Sequence, residues 1–323
     1  MTKPVGVLVM AYGSASGPED VERYYTDIRG GRAPAPEHLA ALRERYAAIG
    51  NRFPLLEITR RQAAGLEREL NADCDGAAFT AYIGMKHSPP FIADAVERMR
   101  GDEIERAIGI VMAPHWSGMS VETYVERVER AVGDGGPHFT FVRSYHDHPL
   151  FVELLASRVR DAIGSLSEAH REKATVVFSA HSLPVRIADN GSLRCRDCDC
   201  DPSCRYRDGL QETADLVARR LGVASYEIGW QSAGRTPDPW WGPPIEDVIR
   251  DLAGAGNPAV VVCSAGFTAD HLEILYDLDV EAKHVADEVR VEFARTEMPN
   301  ADPAFVRALA AIVRDHQGAV AAA

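Results

Sequence analysis

The sequence predicts an α/β protein of two doubly wound halves, each a parallel sheet with helices on its faces. Short runs rich in Val, Ile and Ala alternate with longer amphipathic stretches along all 323 residues, as repeated βαβ units do. Seven such runs keep step from one end to the other, and the length suits two domains of ordinary size better than one.

In chain order the predicted strands are 5–11, 78–83, 107–112, 139–143, 174–180, 225–228 and 259–265. Helical stretches fall between them at 18–28, 36–49, 58–70, 89–100, 121–131, 149–163, 209–221 and 244–253. The break between halves lies near 144–149, giving a first domain of residues 1–145 and a second of 146–301, the latter with a cysteine-rich insert at 194–205. A last helix within 302–318 is expected to return and pack on the first domain. Architecture repeats here, but no sequence period does.

Composition removes several functions. Hydrophobic residues make up 46% and charged residues 26%, ordinary values for a globular enzyme. The net charge of -13 and the lack of a basic stripe argue against nucleic acid and anionic membrane. No apolar run reaches the roughly 18–20 residues of a membrane span, and the start has no signal-peptide pattern, so a cytoplasmic location is expected. Neither GxGxxG after the first strand nor GxxxxGK[ST] occurs, so no nucleotide cofactor is expected.

The residues that carry chemistry cluster after predicted strands, where open α/β sheets put their ligands. Glu273, Asp277 and Glu281 recur every four residues after the run 259–265; on a helix they share one face. That face is either simply solvated or a place for a cation. His181 closes the run 174–180, where an imidazole can accept protons or bind metal, or merely satisfy a backbone carbonyl. His271 and Glu273 follow the last strand, so His181 and Glu273 can face each other if both strands share a sheet. Trp230, Trp240 and Trp241 lie together after the strand at 225–228. They read either as the wall of a site for a flat apolar ligand or as core packing. Tyr12, Arg29, Arg32 and Arg45 form an aromatic and basic set suited to carboxylates.

These segments resemble the ferrochelatases of soluble bacterial kind over essentially the whole chain. The resemblance rests on 8–13 (LVMAYG), 21–32 (VERYYTDIRGGR), 43–50 (RERYAAIG), 82–91 (YIGMKHSPPF), 178–184 (FSAHSLP), 229–242 (GWQSAGRTPDPWWG) and 266–279 (GFTADHLEILYDLD). It implies two Rossmann-like domains with a chelatase-like cleft between them, and insertion of ferrous iron into a porphyrin as a step of heme biosynthesis. By position His181 would be the catalytic histidine, with Glu273 its partner across the macrocycle and both touching the substrate iron. Asp277 and Glu281 would form an iron path. Tyr12, Arg29, Arg45, His87 and Trp230 would bind the porphyrin. The tyrosine of the MAYG motif and the basic residues favour coproporphyrin III over protoporphyrin IX. Phe53 departs from the family's serine before Pro-Leu, so one propionate would be held differently. A monomer or homodimer is expected. The rival readings are a protoporphyrin IX ferrochelatase, a cobaltochelatase-like enzyme and a tetrapyrrole- or metal-binding sensor without turnover.

Four of the six cysteines, Cys195, Cys198, Cys200 and Cys204, crowd into ten residues as C-x2-C-x1-C-x3-C. In a reducing compartment such a group reads as a metal site, and four thiolates accept either zinc or an iron-sulfur cluster. Some ferrochelatases carry a two-iron two-sulfur cluster on cysteines, so the resemblance implies a 2Fe-2S cluster here, with zinc as the alternative.

Overall fold

A computed structural model gives the fold and describes residues 3–72, 78–187, 191, 193–196, 204–223, 225–234 and 236–322. The first half contributes β1 (Val5–Ala11), β2 (Phe79–Met85), β3 (Arg106–Val111) and β4 (His138–Val142). They form one parallel sheet in the order β2-β1-β3-β4. Every residue of β1 is buried, as expected of a central strand covered on both faces. Around this sheet lie α1 (Val21–Ile28), α2 (Pro36–Ala48), α3 (Leu55–Asn71), α4 (Ile92–Gly101) and α5 (Val121–Val132).

The second half contributes β5 (Thr175–His181), an antiparallel pair β6 (Val185–Ile187) and β7 (Leu193–Cys195), then β8 (Glu227–Gln231), β9 (Ala259–Cys263) and β10 (Glu292–Arg295). Its sheet is parallel, in the order β10-β9-β5-β8. The helices are α6 (Pro149–Ser165), α7 (Glu168–Arg171), α8 (Arg205–Leu221), α9 (Ile245–Gly254), α10 (Lys283–Glu288) and α11 (Pro303–Ala322). α11 packs on α3 and on α6, so it touches helices of both halves. Among the described residues no helix is long and apolar enough to cross a membrane.

In each sheet the chain first goes to one side of a strand and then jumps to the other. The reversal lies beside β1 in the first sheet and beside β5 in the second. A crevice opens at the carboxyl ends of strands where the order reverses. Tyr12 follows β1 directly, and His181 is the last residue of β5.

The structure differs from the sequence reading in several elements, the short α7 and α10 among them. β10, an edge strand of four half-exposed residues, carries charges at both ends (EFAR) that hide its strand character. A hairpin of β6 and β7 precedes the insert and runs into its first residues, Arg194 and Cys195. α8 starts at Arg205, four residues early, because its first turn continues directly from Cys204. Finally, Asp277 and Glu281 of the acid ladder lie on a π-helix, Ile274–Ala282, that Glu273 caps and that continues into α10.

Candidate active site

The loop after β9 joins the two halves at the carboxyl edges of their sheets. Thr268 Oγ1 donates to Met112 O, just past β3, at 3.0 Å, and Gln62 Nε2 on α3 donates to Thr268 O at 3.2 Å. Leu275 packs with Tyr24, Leu39 and Tyr46 of the first half. Gly266 makes this approach possible: a Cβ there would sit 2.5 Å from the Ala180 Cβ, beside His181.

The loop brings Glu273 between two imidazoles. His181 Nε2 lies 3.6 Å from Glu273 Oε1 and His271 Nε2 lies 3.5 Å from Oε2. His181 Nδ1 is hydrogen-bonded to Ser182 O, and His271 Nδ1 to Ala269 O at 2.9 Å. A carbonyl only accepts, so both rings carry a proton on Nδ1 and turn Nε2 toward Glu273. Burial opposes a charge on His181, but the charge and hydrogen bond of Glu273 outweigh it and raise its pKa to about 9. His271 is also raised, with burial opposed by the Glu273 hydrogen bond. Glu273 moves the other way: burial is overcome by His181 and His271, which hold it well below the ordinary carboxylate range. About a third of each side chain, 31% and 33%, faces solvent, so the pair is screened and exchangeable rather than locked.

Behind Glu273 the ladder is uneven. Asp277 is only 3% exposed; its Oδ2 accepts from Ser232 Oγ, and its Oδ1 has no hydrogen-bond partner among the described residues. Burial, then the negative charge of Glu273, pushes Asp277 up to about 7. Ser232 takes a left-handed φ of 59°, a strained conformation for a residue with a Cβ, as it places its hydroxyl on Asp277. Burial, then the charge of Glu281, holds the Tyr276 hydroxyl above its ordinary pKa. The Glu281 charge also reaches Glu246 on α9, whose pKa is raised by burial first. A π-turn takes more residues than the 3.6 of an α-helix, and such segments recur at functional sites.

On the opposite edge Tyr12 presents its ring to the opening, 43% exposed, with the His87 ring 4.6 Å away. His87 is buried and its Nδ1 lies 2.7 Å from Asp27 Oδ1. Gly13, at φ 96°, lets the 86–88 loop close in, since a Cβ there would meet Ser88 Oγ at 2.6 Å. Lys86, which sequence reasoning passed over, lies 5.8 Å from the Tyr12 ring centroid and donates to Thr123 Oγ1. Burial and then the nearby Arg127 lower its pKa to about 8.

Other candidate residues are placed less simply. Arg45 stacks over Tyr276 at 4.9 Å, beside the acid ladder. Arg29 ends α1 with a buried Nε that has no partner among the described residues. Phe53 stacks on Tyr46 with ring centroids 4.5 Å apart. Trp230 does not wall the opening: it is 4% exposed, packed between Tyr206 and Trp241 behind His181. Its β8 position beside Ala180 aims the indole into the core.

Residues 4–317 match the family model described as Ferrochelatase. The chain belongs to the ferrochelatase family. A coproporphyrin III ferrochelatase of Anoxybacillus flavithermus is 49% identical over 97% of this chain and 96% of its own length. One from Bacillus subtilis is 48% identical over 96% and 97%. Among solved structures, SirB from Bacillus subtilis with Fe3+ superposes with a TM-score of 0.60 at 12% identity, covering 97% of this chain and 95% of its own. CbiX, described as the terminal enzyme for biosynthesis of siroheme in denitrifying bacteria, gives 0.54 at 11% identity, covering 96% and 98%. At those identities the two structures share the fold alone.

This ferrochelatase chain carries two of its clustered thiols behind the His181 loop. Cys195 closes β7 and Cys204 precedes α8; both are buried, with Sγ atoms 3.2 Å apart, well beyond the ~2.05 Å of a disulfide. The Cys195 hydrogen bond, aided by backbone N–H groups of Arg207 and Tyr206, holds Cys204 below the ordinary thiol range. A favoured thiolate with a second sulfur in reach fits a thiolate-bound metal centre. Cys198 and Cys200 lie outside the described residues. Elsewhere His146, Asp147 and Glu212 bring donor atoms within 4.8 Å of one another. His146 Nε2 lies 3.0 Å from Glu212 Oε2 while Nδ1 is hydrogen-bonded to Ser144 Oγ, so His146 and Glu212 read as a hydrogen-bonded pair at the crossover between halves.

Proposed function

We propose that this protein inserts ferrous iron into coproporphyrin III, giving coproheme and two protons. The observation that carries the reading is Glu273 held between the Nε2 atoms of His181 and His271 at the mouth of the acid ladder; the names of the close relatives support coproporphyrin III as the substrate. At rest the raised His181 is an imidazolium paired with Glu273. Ferrous iron, guided past Glu281 and Asp277, neutralises Glu273, and the reason for the high pKa of His181 disappears. His181 then gives up its proton, and its Nε2 is free to take one from a pyrrole nitrogen as the metal enters. Asp277, titrating near neutrality, passes protons outward. Tyr12 lies under the macrocycle, His87 supports it, and Arg29 and Arg45 meet propionates. Trp230 supports His181 from behind.

Anaerobic protein mixed with ferrous iron and either coproporphyrin III or protoporphyrin IX tests this by metalloporphyrin absorbance. Faster product from coproporphyrin III is expected; no iron product from either, or preference for cobalt, sinks the reading. Asp277→Ala is expected to raise the iron concentration for half-maximal rate about tenfold while leaving kcat within about threefold, read from iron saturation curves.

We further propose that Cys195, Cys198, Cys200 and Cys204 hold a 2Fe-2S cluster, zinc being the alternative. The cluster supplies no step of iron insertion, which involves no net oxidation. Freshly purified anaerobic protein should absorb in the visible and contain sulfide, and Cys204→Ser should lose both. Colourless protein with one zinc per chain overturns the cluster.

A further inference from the structure

We propose that Tyr206 is a positioning residue for His181, and that Tyr206 and Trp241 tie the reaction centre to the cysteine pair Cys195 and Cys204. The inference rests on the reading of His181 as the proton-accepting group.

His181 is where the β5–β8 ladder stops, paired with Gln231. Its ring leans on the carbonyl of Ser182, so the direction of Nε2 follows the backbone of residues 181 and 182. Two contacts from the cysteine side hold that backbone. The Tyr206 hydroxyl donates to His181 O at 2.9 Å, and Tyr206 lies two residues past Cys204. Its buried ring is confined between Trp230 at 5.8 Å and His115 at 6.3 Å. From the other side, Ser182 Oγ donates to Trp241 O at 2.7 Å, Trp241 N donates to Leu183 O at 3.1 Å, and Trp241 Nε1 donates to Cys195 Sγ at 3.3 Å.

The contacts close a ring: His181 to Tyr206, Cys204, Cys195, Trp241, Ser182 and back. All of its members except His181 are buried, so displacement of either sulfur reaches the His181 backbone through packed groups rather than being lost in solvent. The geometry it protects is narrow, because a misplacement near 1 Å at reacting atoms can cost about a hundredfold in rate. The cysteine centre thus acts on chemistry by holding a histidine in place, without exchanging electrons with the substrate.

Tyr206→Phe keeps the ring and deletes the hydroxyl. Its kcat is expected to fall about tenfold, with KM for coproporphyrin III and iron within about twofold, and with thermal midpoint and metal content unchanged. The His181 ring resonance, assigned by its loss in His181→Ala, should move in a fixed-pH NMR spectrum. Cys204→Ser should move it in the same sense, and adding Tyr206→Phe to that variant should change little further, because both act through one contact. The NMR arm needs no turnover, so an inactive wild type sinks the chelatase reading without deciding this one. Unchanged kcat and resonance in Tyr206→Phe, or additive effects with Cys204→Ser, overturn the proposal. If Tyr206→Phe fails to fold, Trp241→Phe, which deletes the N–H on Cys195, carries the same expectations for kcat and for the His181 resonance, with a lower thermal midpoint because the smaller ring underfills the core.

Discussion

His181→Ala is expected to lower iron insertion about 10² to 10⁴-fold, the range set by loss of a general base, while the protein stays folded. The imidazole stands at the end of β5 rather than inside the sheet. Its contacts are the Ser182 carbonyl, Glu273 and the edge of Phe267, 6.4 Å away between ring centroids. Removing it leaves the β5–β8 and β5–β9 ladders whole and leaves Glu273 its second partner, His271. Coproporphyrin binding should therefore stay within about threefold, a loss confined to kcat being the sign of an interaction made only during reaction. Fluorescence quenching of the bound porphyrin, thermal melting and anaerobic turnover separate the three quantities. If turnover survives, the proton acceptor is another group. His271→Ala decides that case: it should cost less than His181→Ala under the assignment above, and more if the roles are exchanged.

The period of apolar runs places β1, β3, β5 and β9 most clearly because these strands are buried on both faces over nearly their whole length, and burial is what a run of Val, Ile and Ala records. Short edge elements escape the same test. β10 shows four half-exposed residues, and β7 is legible only once Cys195 is seen opposite Val185. His181 is readable because it closes the apolar run of β5, and Glu273 because it lies in the segment that follows β9. Their distance, and the second imidazole of His271, depend on a Gly266 contact that no local pattern announces. The four-residue spacing of the acids found the right face of the segment but not its π-turn, since spacing alone does not distinguish the two helices. Nor does it show that Asp277 is sealed while Glu273 is open, which depends on Ser232 from another loop. Trp230 illustrates the reverse: three clustered tryptophans suggested a wall, yet the β8 register turns this one inward.

Glu273→Gln keeps the size of the side chain and removes its charge, and should lower turnover about 10² to 10³-fold while changing its pH dependence in a specific way. In the wild type, iron must displace the proton of a His181 titrating at about 9. Below that value the iron concentration for half-maximal rate should fall up to tenfold for each unit rise in pH. With the Glu273 charge gone, burial acts on His181 with less opposition and its pKa drops toward or below the ordinary value of about 6.5. The variant should then show little pH dependence of iron use between about pH 7 and 9. Stability follows the same pair. His181, raised in the fold, contributes fully below about 6.5 and loses its contribution as pH rises through about 9. Glu273, lowered in the fold, contributes above the ordinary carboxylate value and loses its contribution as pH falls toward its own lower one. The wild type should therefore melt higher than Glu273→Gln chiefly near pH 5 to 6.5, with the gap closing above about pH 9. Because both side chains are a third exposed, the gap is at most about 1 kcal/mol. Iron saturation curves at several pH values are the decisive measurement. A variant that keeps the wild-type pH slope would show that His181 does not owe its proton to Glu273, and the exchange of a proton for iron at this pair would have to be abandoned.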